Sequence, residues 1–308
     1  PLSIFPIATD KFCVCFCGMP ARGKTHISRR LGRYLQFFHA MPVGIYSMSD
    51  YRRERYGAIS DAEWFDHNNK EANEIRDKCL NEILENMVSF LHDNSSGVAI
   101  FDATNATFER RRDIMQKVRV TGAKVLWIEV MNEDPVFLQQ QVLSVATTSP
   151  DFKGFCDTDA VEQYRTRMDK YKTFFETLDD GTYKEESRWC YLKCDHSKQH
   201  FVVHNVKGYL MQKAVNFIMN LRTTSHAFYL TRHGQSEYNN LGRIGGDSGL
   251  SEHGVKYAEK LAEFVESKVV RDAEGKEVPA RLWTSTMRRT KETTQFIQQR
   301  KIVVRPEP

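Results

Sequence analysis

Phe12-Cys13-Val14-Cys15-Phe16-Cys17-Gly18-Met19-Pro20-Ala21-Arg22-Gly23-Lys24-Thr25 decides how the rest of the chain is read. Its first six residues are an uninterrupted apolar run, which suits a strand buried on both faces. Its last eight have the form G-x-x-x-x-G-K-T, and residues 27–34 read as the start of a helix. In the context of strand, glycine loop and helix, that spacing indicates phosphate binding. Gly18 and Gly23 let the main chain fold around phosphates so that successive N–H groups point inward. The helix adds the positive end of its dipole. Lys24 contributes a mobile point charge, and Thr25 offers a hydroxyl to Mg²⁺.

The chain has 308 residues, 41% hydrophobic and 27% charged, with a formal net charge of +4. These values suggest a globular protein of one large or two ordinary domains. No apolar run approaches the ~20 residues that span a bilayer, and no N-terminal secretory pattern is evident, so an intracellular, cytoplasmic protein without a membrane partner is expected. The small positive charge permits acidic small molecules and does not demand nucleic acid. Of seven cysteines, Cys13, Cys15 and Cys17 alternate along one strand face, a spacing unlike that of zinc ligands. They read as small apolar packing residues in a reducing compartment.

Working outward from the loop, residues 41–48 read as a second strand ending at Ser49-Asp50-Tyr51-Arg52-Arg53-Glu54, where ligands of an open α/β sheet collect. Standing alone, the two arginines would equally suit a solvated turn. Residues 71–91 carry an apolar stripe at three- and four-residue spacing, with Arg76 beside it. Residues 98–101 form a buried strand running into Asp102-Ala103-Thr104-Asn105. Asp102 suits either a helix cap or a carboxylate beside Mg²⁺ or an attacking hydroxyl; the phosphate loop favours the latter. Arg110, Arg111 and Arg112 open the next helix. Residues 125–131 form a strand, and residues 161–178 a helix carrying Arg165, Arg167 and Tyr171. Strands at 189–194 and 201–206 and a helix at 208–221 come next. Strands alternating with helices predict an α/β fold with a doubly wound, mostly parallel sheet.

The pattern restarts near residue 223. A strand at 226–231 leads into Arg232-His233-Gly234-Gln235-Ser236-Glu237, then Asn239, Arg243, Gly245 and Gly246. A histidine at a strand end among arginines can attack phosphorus and carry it, while the arginines offset the phosphoryl charge. A further strand at 282–285 precedes Arg288 and Arg289.

Together the two halves resemble the bifunctional 6-phosphofructo-2-kinase/fructose-2,6-bisphosphatase family, from about Phe12 onward. The phosphate loop, Tyr51-Arg52-Arg53-Glu54, Phe101-Asp102-Ala103-Thr104-Asn105 and Gly242-Arg243-Ile244-Gly245-Gly246-Asp247-Ser248-Gly249-Leu250 carry the resemblance. It implies a P-loop kinase domain over residues 1–223, and the N-terminal part of an α/β histidine-phosphatase, phosphoglycerate-mutase-like domain over 224–308. By resemblance, ATP would lie on Gly18, Pro20, Ala21, Arg22, Gly23, Lys24, Thr25 and His26, with Mg²⁺ at Thr25 and Asp102 and catalysis by Lys24 and Asp102. Fructose 6-phosphate would meet Arg52, Arg76, Thr104, Arg110, Arg167 and Tyr171. In the second domain His233 would be the phosphorylated nucleophile, with Arg232, Asn239, Gly245 and Arg289 around fructose 2,6-bisphosphate. The resemblance also implies a homodimer formed through the kinase sheet.

Two positions depart from the family. Ala146 aligns where the family has a lysine near the ATP and sugar sites, and Asn132 stands for a cysteine of the vertebrate enzymes. The family's phosphatase proton donor and second histidine lie beyond the 282–285 strand. The 308 residues therefore supply a nucleophile and arginines without a general acid, and a crippled phosphatase is expected. Alternatives are a bisphosphatase with a vestigial kinase, a non-catalytic sensor of nucleotide and sugar phosphate, and a nucleic-acid end kinase. The last leaves residues 242–250 unexplained.

Overall fold

The computed structural model describes residues 11–179, 181–221, 227–272 and 274–297, together with the backbone of 305–306. The chain divides into two compact units, Pro1–Thr224 and Ser225–Pro308.

In the first unit, β1 (Lys11–Cys17) leads through the glycine loop into α1 (Lys24–His39). Then come β2 (Val43–Ser47), α2 (Met48–Tyr56), a 3-10 turn at Ala62–Phe65, and α3 (Lys70–Asp93). The chain continues with β3 (Gly97–Asp102), α4 (Phe108–Arg119), β4 (Lys124–Met131), α5 (Pro135–Thr148) and α6 (Asp157–Lys172). It closes with β5 (Cys190–Asp195), β6 (His200–His204) and α7 (Tyr209–Met219). The strands form one six-stranded sheet in the order β2-β3-β1-β4-β5-β6; all are parallel to their neighbours except β6, which runs antiparallel to β5.

The alternation within β1 builds two cores at once. Cys13, Cys15 and Cys17 enter a cluster with Leu84 and Met87 of α3 and Ile114 and Val118 of α4. Phe12, Val14 and Phe16 enter the opposite cluster with Leu31 and Leu35 of α1 and Ala214 and Ile218 of α7. All six are buried to 1% exposure or less, so β1 is the central plank of a helix-covered sheet. All seven cysteines are free, and five of them are buried.

Several elements differ from the sequence expectation. Arg52 and Arg53 lie within α2 and not in a turn, because Ser47 caps that helix by accepting from the Asp50 amide. The helix expected at 161–178 spans Asp157–Lys172. Beyond it tertiary partners take the backbone donors: the Glu176 amide goes to the Ala106 carbonyl, and the Leu178 amide to the Glu129 carboxylate at 3.0 Å. Helix α5 has no counterpart in the sequence expectations; Asp134 caps it, with Pro135 in its first turn.

The second unit holds α8 (Glu237–Asn240), α9 (Glu252–Phe264), β7 (Trp283–Thr284), α10 (Arg288–Thr293) and β8 (Arg305–Pro306), with β7 parallel to β8. The strand expected at 226–231 is not formed in the described part, 227–231; residue 226 lies outside the described residues, as does the joint at 222–225. No ladder partner runs beside that stretch among the described strands, and Phe228 and Leu230 are 84% and 97% exposed. Apolar residues without a facing strand or a covering layer do not make a buried strand. Among the described residues no helix is long and apolar enough to cross a membrane.

Candidate active site

The loop after β1 turns through left-handed backbone at three positions, two of them glycine. Gly18 has φ +125° and Gly23 φ +87°, with Ala21 between them at +61°. A Cβ on Gly18 would stand 2.6 Å from the Val130 carbonyl oxygen, so only glycine fits against β4 there. Gly23 caps α1 without a side chain, so no side-chain oxygen occupies the first-turn amides that suit an anion. Lys24 folds back over the loop, its Nζ donating to the Gly18 and Met19 carbonyls at 2.7 and 2.8 Å. Burial lowers its pKa to about 8, against the opposing pull of Asp102 and Cys17. Arg22 is buried and donates to Glu133 at 3.0 Å.

Asp102 ends β3, in line with the phosphate loop, and is 4% exposed. Burial pushes its carboxyl up; a hydrogen bond from Thr25 and the charge of Lys24 act in the opposite direction. The segment after it is stitched to the end of β1. The Gly18 amide donates to the Thr104 carbonyl at 3.2 Å, and the Asn105 Nδ2 donates to the Phe16 carbonyl at 2.7 Å. Asn105 is buried with a left-handed φ of +42°. Its carbonyl accepts from Arg111, whose Nε donates to the buried Glu186 at 2.8 Å.

These groups open onto a cavity of about 810 Å³. Pro20 to His26, Asp102 and Thr104 line one part of it, and Arg52, Arg76, Arg110, Arg167 and Tyr171 another. Gly18 stands behind the loop against Thr104 and Lys24. The arginines are organised by a residue the sequence reading misses. Asp151 is buried in a 3-10 turn and accepts from Arg52 through both oxygens, at 2.8 and 2.6 Å. Arg53 reaches it at 3.3 Å and Arg167 at 3.6 Å. Three guanidinium groups on one carboxylate leave an excess of positive charge, as an anionic substrate requires. The only sequence signal for Asp151 is Ser149-Pro150-Asp151, which reads as a turn. Arg110 instead pairs with Asp77 at 3.6 Å. Ala146 does not line the cavity; it packs with Val142, Phe152, Ala160 and Tyr164, while Gln141 and Val145 line it. Asn132 is buried and accepts from the Asp134 amide.

The candidate residues of the second unit are not gathered in the same way. His233 Nδ1 lies 2.7 Å from the Gly234 carbonyl, and the Gly234 amide donates to Thr293. The Asn239 side chain is taken up in a capping box with Ser236 at the start of α8. Arg289 donates to the Gly246 carbonyl at 2.9 Å, beside Gly245 with its φ of +88°. Arg232 is exposed.

The family profile described as 6-phosphofructo-2-kinase matches residues 3–225, and that of the histidine phosphatase superfamily (branch 1) matches 228–308. The chain belongs to the 6-phosphofructo-2-kinase family. A relative from Gallus gallus, named 6-phosphofructo-2-kinase/fructose-2,6-bisphosphatase, is 38% identical over 284 residues, covering 92% of this chain and 58% of its own length. Relatives of the same name from Aquarana catesbeiana and Caenorhabditis elegans are 37% and 36% identical, with 92% of this chain and 58% and 61% of their lengths covered. The chain thus spans about three fifths of the length of these relatives. Family membership accords with a phosphate loop and a strand-end carboxylate facing a single arginine-lined cavity.

Proposed function

We propose that the first unit is an ATP-dependent kinase that phosphorylates the 2-hydroxyl of fructose 6-phosphate to give fructose 2,6-bisphosphate. The observation that carries this reading is one cavity holding both the Gly18–Thr25 loop with Asp102 and the arginine group at Asp151. The loop amides and Lys24 bind the polyphosphate, and Lys24 exchanges its two carbonyl partners for phosphate oxygens. Arg52, Arg76, Arg110 and Arg167, with Tyr171 beside them and Thr104 on the phosphate-loop side, hold the 6-phosphate and sugar. Asp102 orients the 2-hydroxyl and accepts its proton from the end of β3. The reaction needs little covalent chemistry from the protein, so positioning and charge stabilisation do most of the catalysis.

The Thr25 hydroxyl and Asp102 carboxylate, already hydrogen-bonded to each other, form the hard oxygen pair that Mg²⁺ takes alongside phosphates. When bound, Mg²⁺ would neutralise charge on the transferring phosphoryl group. We assign residues 1–223 to this kinase and 224–308 to the first part of a bisphosphatase domain, with His233 as its nucleophile. The free cysteines support a cytoplasmic location. The edge strand β6, with Val203 45% exposed, supports a homodimer through the sheet.

The test is ATP-dependent formation of fructose 2,6-bisphosphate by the wild type and by Lys24→Met. The wild type should turn over and the variant should lose nearly all activity; equal turnover in both would remove the assignment.

A further inference from the structure

Between α2 and α3 the chain makes the single 3-10 turn Ala62–Phe65, opened by Asp61, whose carboxylate accepts from the Glu63 amide at 2.9 Å. Two adjacent aromatics, Trp64 and Phe65, project from it edge to face, with centroids 4.8 Å apart. Both line the cavity. Three of the candidate sugar-phosphate arginines rest on this pair. The Arg52 guanidinium lies 5.6 Å from the Trp64 ring centre and 5.5 Å from that of Phe65. Arg76 lies 5.6 Å from Trp64, and Arg167 lies 3.5 Å from Phe65. Arg76 also donates to the turn's own backbone, to the Phe65 and Asp66 carbonyls at 3.1 and 2.9 Å. From the far side, Lys170 of α6 clamps the turn through Glu63 at 2.9 Å and Asp66 at 2.7 Å.

The chemistry explains why aromatic rings stand here. Guanidinium groups brought together repel, and something must hold them before the substrate arrives. A carboxylate does so by consuming N–H donors and cancelling charge, as Asp151 does for Arg52. A ring attracts a cation through its quadrupole and takes no donor, leaving N–H groups for a phosphate. We propose that Trp64 and Phe65 are positioning residues that hold Arg52, Arg76 and Arg167 as one ready-made receiver for the phosphate of the sugar substrate. Trp64, which bridges Arg52 and Arg76, then sets sugar-phosphate affinity without acting on the nucleotide. This inference rests on the kinase reading and adds a specificity element to it.

The experiment uses the whole chain, with fructose 6-phosphate titrated calorimetrically and both substrate KM values measured for wild type, Trp64→Leu and Trp64→Phe. Losing two cation–ring contacts should raise Kd and KM for fructose 6-phosphate about tenfold in Trp64→Leu. KM for ATP and kcat should change by less than about twofold, and Trp64→Phe, which restores a ring, should return to within about threefold of wild type. If Trp64→Leu does not fold, Lys170→Met carries the same test, because it releases the turn from α6 and leaves the rings in place. It should raise the sugar-phosphate KM several-fold at constant ATP KM. An unchanged sugar-phosphate KM in the folded variant, or equal losses toward both substrates, would overturn the proposal while leaving the kinase intact. A wild type that takes up no fructose 6-phosphate would overturn the kinase reading, and this inference with it.

Discussion

Lys24 provides a test of the phosphate loop that depends on pH alone. In the unliganded protein burial brings its pKa down to about 8, from an ordinary value of 10.5. Polyphosphate binding requires the ammonium form, so above about pH 8 the protein must take up a proton as nucleotide binds. Bound phosphates hold that proton, and the affinity should therefore fall about tenfold per pH unit above the free-protein value. Between about pH 7 and pH 9.5 the protonated fraction drops roughly 30-fold, worth ~2 kcal/mol. The assay is calorimetric titration with a non-hydrolysable ATP analogue and Mg²⁺, in two buffers of different ionisation heat at each pH. Affinity should decline over that range, and uptake should approach one proton at the alkaline end. Lys24→Met should bind weakly with no such slope. A flat wild-type profile, or the same slope in Lys24→Met, would refute the assignment. The same shift has a sign for stability: between about pH 8 and 10.5 the unfolded chain binds more protons, so this group's contribution to stability rises with pH across that window.

Asp102→Asn keeps the shape of the strand end but cannot accept a proton; kcat should fall about 10²- to 10⁴-fold, with fructose 6-phosphate KM within about threefold, in steady-state assays. Glu186→Gln strips the charge opposite the fully buried Arg111 and should cost about 3–5 kcal/mol, measured by denaturant unfolding. Its rate per folded molecule at low temperature should stay near wild type.

Legibility in the sequence tracks how local the physics is. β1, β3 and β4 are short apolar runs, and the G-x-x-x-x-G-K-T spacing dictates a phosphate loop directly after β1, so the sheet and the loop are readable. Helix α5 is not, because its residues 136–145 carry few charges and show no polar face to mark a period. The stretch 227–231 misleads for the opposite reason: its apolar pattern is that of a strand, and the described residues offer it no ladder. Arg52 looks like a surface residue of a basic turn. Its burial depends on Asp151, 99 positions away, and on aromatic rings of a turn with no motif. Such a pairing is set by the folded chain, and neither partner's neighbours in sequence announce it.

The two hydrogen bonds that sew the Thr104–Asn105 segment to the end of β1 limit how this cavity can close. They run in opposite directions between the same two segments, so the phosphate cradle and the Asp102 rim behave as one fixed jaw. Any hinge has to lie on the other side, where the Trp64–Phe65 turn is fastened to α6 by the ion pairs of Lys170 with Glu63 and Asp66. Salt should therefore loosen the sugar-facing jaw and leave the nucleotide-facing one rigid.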